Sequence, residues 1–453
     1  MLSTPSLCSP HSPRRLTIGE AIFDNDYLLE LAKSSGFHKR SPRKIDACSL
    51  LASICAESVK GSPSCNDLAV SIEACHPEAG PSRQAVCLRL GQPFETFVHR
   101  LLEDVIAGKN PCKQIGGPVS PEGVQSFAGY RRVLVADSTI IKLPAHLFAE
   151  FSGVSNAFSK VCNARIQASY DLLAGQLVDF SIDSYSKNDL TAASELHIEA
   201  GDLVLRDRGY LTTDEIQRHR DAGADCIYRH KTGTIYLDPE TLKPIDLPAI
   251  LRSNGQLDIM LRLNNSTHTP VRLLAAPVDE ETANLRRMKA RKETHGHNPS
   301  KAVLELMGWT ILITTIDSAQ YDFGRLLAIY GLRWRIEVIF KAWKSHMNFH
   351  ILHRVSKIQM IILLKARLLL ITCCTNILFR RLENSIWQRY KRRISLLKLM
   401  KFLSAAPANI LRALRNLSAH GSKAQGFDQA LLRYCCYDKR LRRNYSETWE
   451  ALA

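Results

Sequence analysis

The chain has 453 residues, 45% of them hydrophobic, more apolar material than one compact core absorbs, so two or three domains are expected. Its formal charge of +16 is uneven: Gly331 to Ala453 holds 24 Lys and Arg against 6 Asp and Glu, leaving 36 basic and 38 acidic groups in the first 330 residues. A basic third on a near-neutral body suggests a polyanion, most commonly nucleic acid, while 13 scattered cysteines without a CxxC argue against a zinc site or a disulfide scaffold.

In chain order, residues 1–17 are rich in Ser, Pro and basic side chains and read as a disordered lead with no apolar run long enough for a signal peptide. From Ile18 to about residue 125 a helical domain is expected, since apolar residues recur three and four apart through Gly108. Within it, Asn66–Ala74 and Ser82–Leu90 form either a helix-turn-helix presenting Arg83, Gln84 and Arg89 to DNA or an ordinary helical hairpin.

At Arg131 the period changes. Arg132–Ala136 reads as a buried strand ending at Asp137, followed by strands Ala164–Leu173 and Gln176–Ile182. A helix over Leu190–Ala200, a strand over Asp202–Leu205 ending near Asp207, a helix over Thr213–Ala222 and a strand over Asp225–His230 complete the pattern. That order is the order of an RNase H-like α/β domain, in which the first and fourth strands are neighbours and their aspartates lie side by side. Residues from about 231 to 316 read as a β-rich insertion, with strand-like pieces at Leu257–Leu263, Val271–Ala276 and Trp309–Thr315 and a loop over Arg286–Ser300. This α/β domain is thus expected over residues 130–350. A basic helical region follows over 351–453 for DNA binding or dimerisation. Its most apolar stretch, Ile358–Phe379, carries Lys365 and Arg367 near its middle, which predicts a buried helix and no membrane span.

One predicted helix carries more chemistry than its neighbours. Starting at Tyr330 and taking about 100° per residue, Arg333, Glu337, Lys341 and Lys344 fall within one narrow stripe with the phenol. A bland amphipathic helix would set apolar side chains on one face. A lone carboxylate among cations fits a metal ligand on a surface that also grips phosphates.

The spacing Tyr330-x2-Arg333-x3-Glu337-x6-Lys344 resembles the YREK signature of the insertion-sequence-four family of DDE transposases. Asp137-Ser138-Thr139 resembles that family's first acidic motif and Asp207-Arg208-Gly209-Tyr210 its second. The resemblance covers about residues 130 to 350. It implies that Asp137, Asp207 and Glu337 are the catalytic residues and hold two Mg²⁺ or Mn²⁺ ions. One ion would activate the attacking oxygen and one would stabilise the leaving oxygen. It further implies a transposase of an insertion sequence that binds terminal inverted repeats in double-stranded DNA and performs end cleavage and strand transfer. Such a protein would work as a homodimer in the synaptic complex, in the cytoplasm and on the nucleoid when bound to DNA. Tyr330, Arg333, Lys341 and Lys344 would contact DNA, with Arg208 beside them. Trp309 admits two readings: a base-stacking residue in a hairpin route, or a core tryptophan on a buried strand.

Two rival functions share these residues: a metal-dependent nuclease on the same fold without strand transfer, and an idle DNA-binding protein derived from a transposase. His346, His350 and His353 sit at helical spacing but lack a further ligand motif, so they are read as surface or satisfied histidines. His295 and His297 lie in a polar stretch. The run Lys391-Arg392-Arg393 is a DNA contact or a solvated helix end.

Overall fold

In the computed structural model, the structure describes residues 25–39, 44–75, 80–107, 127, 129–153, 161–193, 195–293, 298–405, 422–438 and 445–452. The amino-terminal lead, His295 and His297 lie outside the described residues. The chain divides into two compact units. The first gathers Met1–Val119, Lys142–Leu147 and Ile339–Asp438, and the second gathers Ser120–Ile141, Phe148–Val338 and Lys439–Ala453.

The first unit is helical. Its amino-terminal part holds α1 (Asn25–Ser34), α2 (Ala47–Lys60), α3 (Cys65–Cys75), α4 (Arg83–Arg89) and α5 (Gln92–Ile106). The starts follow local chemistry: Asp46 caps α2 by accepting from the Ser49 N–H, Ser82 caps α4 through the Ala85 N–H, and a proline opens α5. Helices α3 and α4 are the expected pair, but Arg89 is spent within the unit. Its guanidinium donates to the Phe37 carbonyl at 3.3 Å and stacks over the Phe37 ring.

The Ile358–Phe379 stretch is helical. It forms α13 (Lys357–Thr372), which runs through a wider π-type turn into α14 (Arg380–Tyr390). By length and composition this stretch suffices to cross a membrane, yet 89% of its most apolar window is buried within the protein. Helix α13 packs on α5 and α2. Its charges are both answered: Lys365 pairs with Glu95 of α5, and Arg367 donates to the carbonyls of Phe349, Ile351 and Gly61 at 3.3, 2.8 and 2.7 Å. The unit closes with α15 (Leu396–Ser404) and α16 (Ser422–Tyr434).

The second unit is mixed α/β, built on one nine-stranded sheet. Its strands in chain order are β1 (Arg132–Lys142), β2 (Asn163–Asp171), β3 (Gln176–Ser184), β4 (Asp202–Arg206), β5 (Asp225–Arg229), β6 (Tyr236–Leu237), β7 (Leu257–Leu263), β8 (Pro270–Pro277) and β9 (Trp309–Thr314). Their order across the sheet is β3-β2-β1-β4-β5-β9-β8-β7-β6. β1, β4 and β5 pair in parallel, and apart from the exposed Ile140 their Val, Leu, Ile and Cys side chains are buried on both faces, as expected of central strands. The adjacency of the first and fourth strands inferred from element order is therefore present.

The strands expected of an insertion continue this same sheet: β9 runs antiparallel along β5, and β8, β7 and β6 follow. This arrangement covers the edge that β5 would otherwise leave unpaired.

Besides the end of β1, which runs past Asp137 to Lys142, three expectations are corrected. The helix over Leu190–Ala200 is only α6 (Asp189–Ala193), because residues 199–202 turn back to serve β4. The Glu199 N–H donates to Asp202, and both acids pair with Arg131 and Arg132. The loop over Arg286–Ser300 is in its first half the helix α9 (Glu280–Glu293), started by Asp279 accepting from the Thr282 N–H and braced by Arg287–Glu280. Its exposed Leu285 and Met288 broke the apolar periodicity that normally marks a helix. The third correction concerns Tyr330 and is given with the site. The remaining helices of the second unit are α7 (Thr213–Asp221), α8 (Leu247–Asn254), α10 (Lys301–Leu306), α11 (Phe323–Gly331), the first turn of α12 (Trp334–His346) and α17 (Tyr445–Leu452).

Candidate active site

The parallel register between β1 and β4 places the first two acids. Val135 pairs with Leu205, and two residues further on each strand comes an aspartate, Asp137 and Asp207. Equal steps along neighbouring parallel strands bring the two side by side, close enough for the Asp207 charge to act on Asp137. Asp137 is inside β1, which runs on to Lys142, whereas Asp207 follows the end of β4 and begins a tight 3₁₀ turn over Arg208–Tyr210.

The third acid, Glu337, arrives on α12 with Arg333 just before that helix. The stripe expected from one continuous helix is broken here. α11 ends at Gly331, α12 begins at Trp334, and the chain between them tightens through i to i+3 bonds, Arg333 N–H to Tyr330 O and Ile336 N–H to Arg333 O. Tyr330 thus belongs to a different helix from Glu337. Its hydroxyl still faces the site, 3.5 Å from the Arg206 carbonyl, and burial pushes its pKa up to about 12.

Arg333 is the centre of the constellation. Its guanidinium lies 2.6 Å from Glu337 Oε1 and 3.6 Å from Asp137 Oδ2. Asp137 Oδ1 accepts from the Ser138 N–H at 2.8 Å. Burial pushes the Asp137 pKa up to about 6. The Ser138 N–H and Arg333 hold it down, and the charges of Glu337 and Asp207 push it further up. Asp207 Oδ1 is buried and accepts no hydrogen bond.

Three carboxylates around one cation, one of them with an orphaned oxygen, form a donor set suited to hard divalent cations. Among the described residues no three Asp, Glu, His or Cys side chains draw together closely enough to enclose a single ion, because the Arg333 guanidinium stands between Asp137 and Glu337.

The other expected contacts are spread out. Lys341 is exposed and Lys344 half-buried, one and two turns beyond Glu337 on α12. Arg208 and Trp309 meet at a small cleft also lined by Arg229, His230 and Arg286. Trp309 is half-buried, packs one side against the core and gives its carbonyl to Arg286 at 2.9 Å. Burial lowers the His230 pKa to about 4, so that ring is neutral.

Arg229 and Arg286 were missed in the sequence. Arg229 had a signal: Arg206 pairs with Tyr228, so Arg229 at the end of β5 is level with Asp207. Arg286 had none, since it fell in a segment read as a loop. His346, His350 and His353 form no metal cluster among the described residues, and His353 Nδ1 instead meets the Ser62 hydroxyl at 2.5 Å.

The transposase DDE domain family matches residues 129–377, more than half of the chain, and the protein belongs to that family. It is 27% identical over 290 residues to the transposase for insertion sequence element IS231B of Bacillus thuringiensis subsp. berliner, covering 59% of this chain and 60% of that one. It is 26% identical over 394 residues to the IS231C transposase of the same organism, covering 81% and 80%. It is 24% identical over 275 residues to the IS1151 transposase of Clostridium perfringens, covering 55% and 58%. The chain thus spans about 60% of the length of the first of these relatives. A solved piggyBac transposase synaptic complex with hairpin DNA aligns over 92% of this chain and 85% of that one at a TM-score of 0.40 and 10% identity, a likeness too slight to argue from. DDE transposases use divalent metal ions.

Proposed function

We propose that this protein is an insertion-sequence transposase that cuts the ends of its element and joins them to target DNA. The observation that carries the reading is the placement of Asp137 on β1 and of Asp207 just past the end of the adjacent parallel strand β4, with Glu337 tied to Asp137 through Arg333. The sheet order β3-β2-β1-β4-β5, antiparallel then parallel, supports an RNase H-like catalytic core.

Asp137, Asp207 and Glu337 would hold two Mg²⁺ or Mn²⁺ ions, whose charge activates the attacking oxygen and stabilises the leaving one in an in-line displacement. Water is the first nucleophile. It adds to phosphorus as the P–O3′ bond breaks, leaving a 3′-hydroxyl on the element and a 5′-phosphate on the flank. That hydroxyl then attacks a second phosphodiester, one P–O bond forming as another breaks.

This chain's cations and the neutral Tyr330 phenol do the rest. Arg333 and Tyr330 hold the scissile phosphate, and Lys341 and Lys344 hold the strand along α12. Arg208, Arg229 and Arg286 surround Trp309 with positive charge, which suits a phosphate beside a base stacked on the indole. The protein would act as a homodimer bridging two ends, in the cytoplasm on nucleoid DNA.

The test is cleavage and strand transfer on end-containing duplexes in Mg²⁺. Asp137→Asn, Asp207→Asn and Glu337→Gln are each expected to abolish cleavage, by roughly a thousandfold or more, while leaving DNA binding intact. Near-wild-type cleavage by any of them overturns the assignment. Cleavage without joined products in the wild type replaces the transposase reading with a nuclease.

A further inference from the structure

A ring of polar side chains beside Asp137 has no part in the roles above. Arg165, on β2, is 7% exposed, and its Nη1 pairs with Asp189, the first residue of α6. The same Nη1 lies 3.2 Å from Ser138 Oγ, and Ser138 donates to Asp189 Oδ1 at 3.0 Å. Ser138 is also the residue whose N–H holds Asp137. The Tyr185 ring covers the guanidinium at 4.8 Å, and its Nε makes no hydrogen bond.

On its other side Asp189 reaches the second acidic motif. A Cβ placed on Gly209 would stand 3.5 Å from Asp189 Oδ2, an ordinary van der Waals contact, so the turn after Asp207 lies directly against Asp189. The next residue, Tyr210, is buried and donates to Gln167 Oε1 at 2.9 Å, back on β2 two residues from Arg165. The contacts close a circuit from the turn after Asp207, through Asp189 and Arg165, to the residue after Asp137. A buried arginine is costly unless its partners are fixed. Here its partners are the two groups that touch both acidic motifs.

We propose that Asp189, held by Arg165, is a positioning residue that fixes the separation of Asp137 and Asp207 and so sets the protein's affinity for divalent cations. This rests on the reading that those acids hold the ions. Carboxylates behind metal ligands set ligand orientation, and losing one typically costs about 10–100-fold in metal affinity. Asp189→Asn keeps the shape but removes the charge that Arg165 and Ser138 share.

The experiment is a Mn²⁺ titration of the full-length protein, with free Mn²⁺ read by electron paramagnetic resonance, beside thermal melts in chelator. Asp189→Asn is expected to raise half-saturating Mn²⁺ about tenfold. Ser138→Ala, which leaves the Arg165–Asp189 pair in place, is expected to raise it several-fold with an unchanged melt. Asp137→Asn is the control and should lose binding outright. If Asp137→Asn loses Mn²⁺ while Asp189→Asn and Ser138→Ala both bind as the wild type does, the bracing role is overturned and the acid assignment stands. If Asp137→Asn binds Mn²⁺ normally, the acid assignment fails and the brace with it.

Discussion

Buried charge appears in two places in this molecule, and the two are handled in opposite ways. In α13 the two cations are paired: half-buried Lys365 has Glu95, and buried Arg367 has three carbonyls that take up its two Nη groups, leaving only its Nε without an acceptor. Around Arg333 the balance is reversed. One guanidinium faces three carboxylates, Asp207 keeps an oxygen with no donor, and Asp137 is pushed toward its neutral form. A satisfied buried charge holds a fold together, whereas an excess of one sign is tolerated where a ligand of the other sign belongs.

The contrast can be broken by measuring stability. Arg367→Met strands three carbonyls in the helical unit, and each unsatisfied acceptor is costly, so a loss of roughly 3–5 kcal/mol is expected. A denaturant curve little changed from the wild type would remove the structural half of the comparison.

The opposite sign is expected at the site. The folded pKa of Asp137 is raised to about 6, above the ordinary aspartate value of about 3.9. The folded state therefore binds the extra proton, and stability in chelator falls as pH rises from about 4 through 6. Asp137→Asn removes that penalty and should stabilise the metal-free protein at pH 7.5 by about 1–3 kcal/mol, with little effect at pH 4. Melts at the two pH values decide it, and destabilisation at pH 7.5 would mean the Arg333 contact outweighs burial. Metal binding should fall away below about pH 6 for the same reason.

Trp309 sharpens the comparison at intermediate size. It is half-buried and bordered by three arginines. Trp309→Ala is expected to spare the first nick and impair later products by about 1–3 kcal/mol if base stacking is lost. A gel separating nicked, hairpin and joined DNA, run beside a melt, reads this out. Uniform loss with a depressed melt assigns the indole to the core.

The smallest effect concerns the basic helix end. Lys391 and Arg392 are exposed, Lys391 lying 5.6 Å from the Trp387 ring centre, whereas Arg393 is half-buried and stacks on that ring at 3.9 Å. Neutralising the first two should flatten the salt dependence of DNA binding by about two units, and adding Arg393 should change it little more. An unchanged slope places the cluster away from DNA.

Much of this was legible in the residues. β1, β4 and β5 announce themselves because strands buried on both faces leave unbroken apolar runs. Asp137 and Asp207 stand out at predicted strand ends and by family resemblance, and Arg333 and Glu337 by their spacing of four residues. Harder to read was a segment whose apolar residues face solvent, as in α9, or a break set by hydrogen bonding, as between Tyr330 and Trp334.

By itself the sequence determined which residue types stand at strand ends and which helix carries the third carboxylate, because those depend on local period and short spacing. Only the tertiary structure decided what depends on pairing between distant segments. The pairing of β9 on β5 brings Trp309 to Arg229. The meeting of Arg165, Ser138 and Asp189 behind the site is of the same kind. Such contacts are set by which backbone edges hydrogen-bond across the sheet, a choice made by the packing of the whole domain rather than by any window of residues.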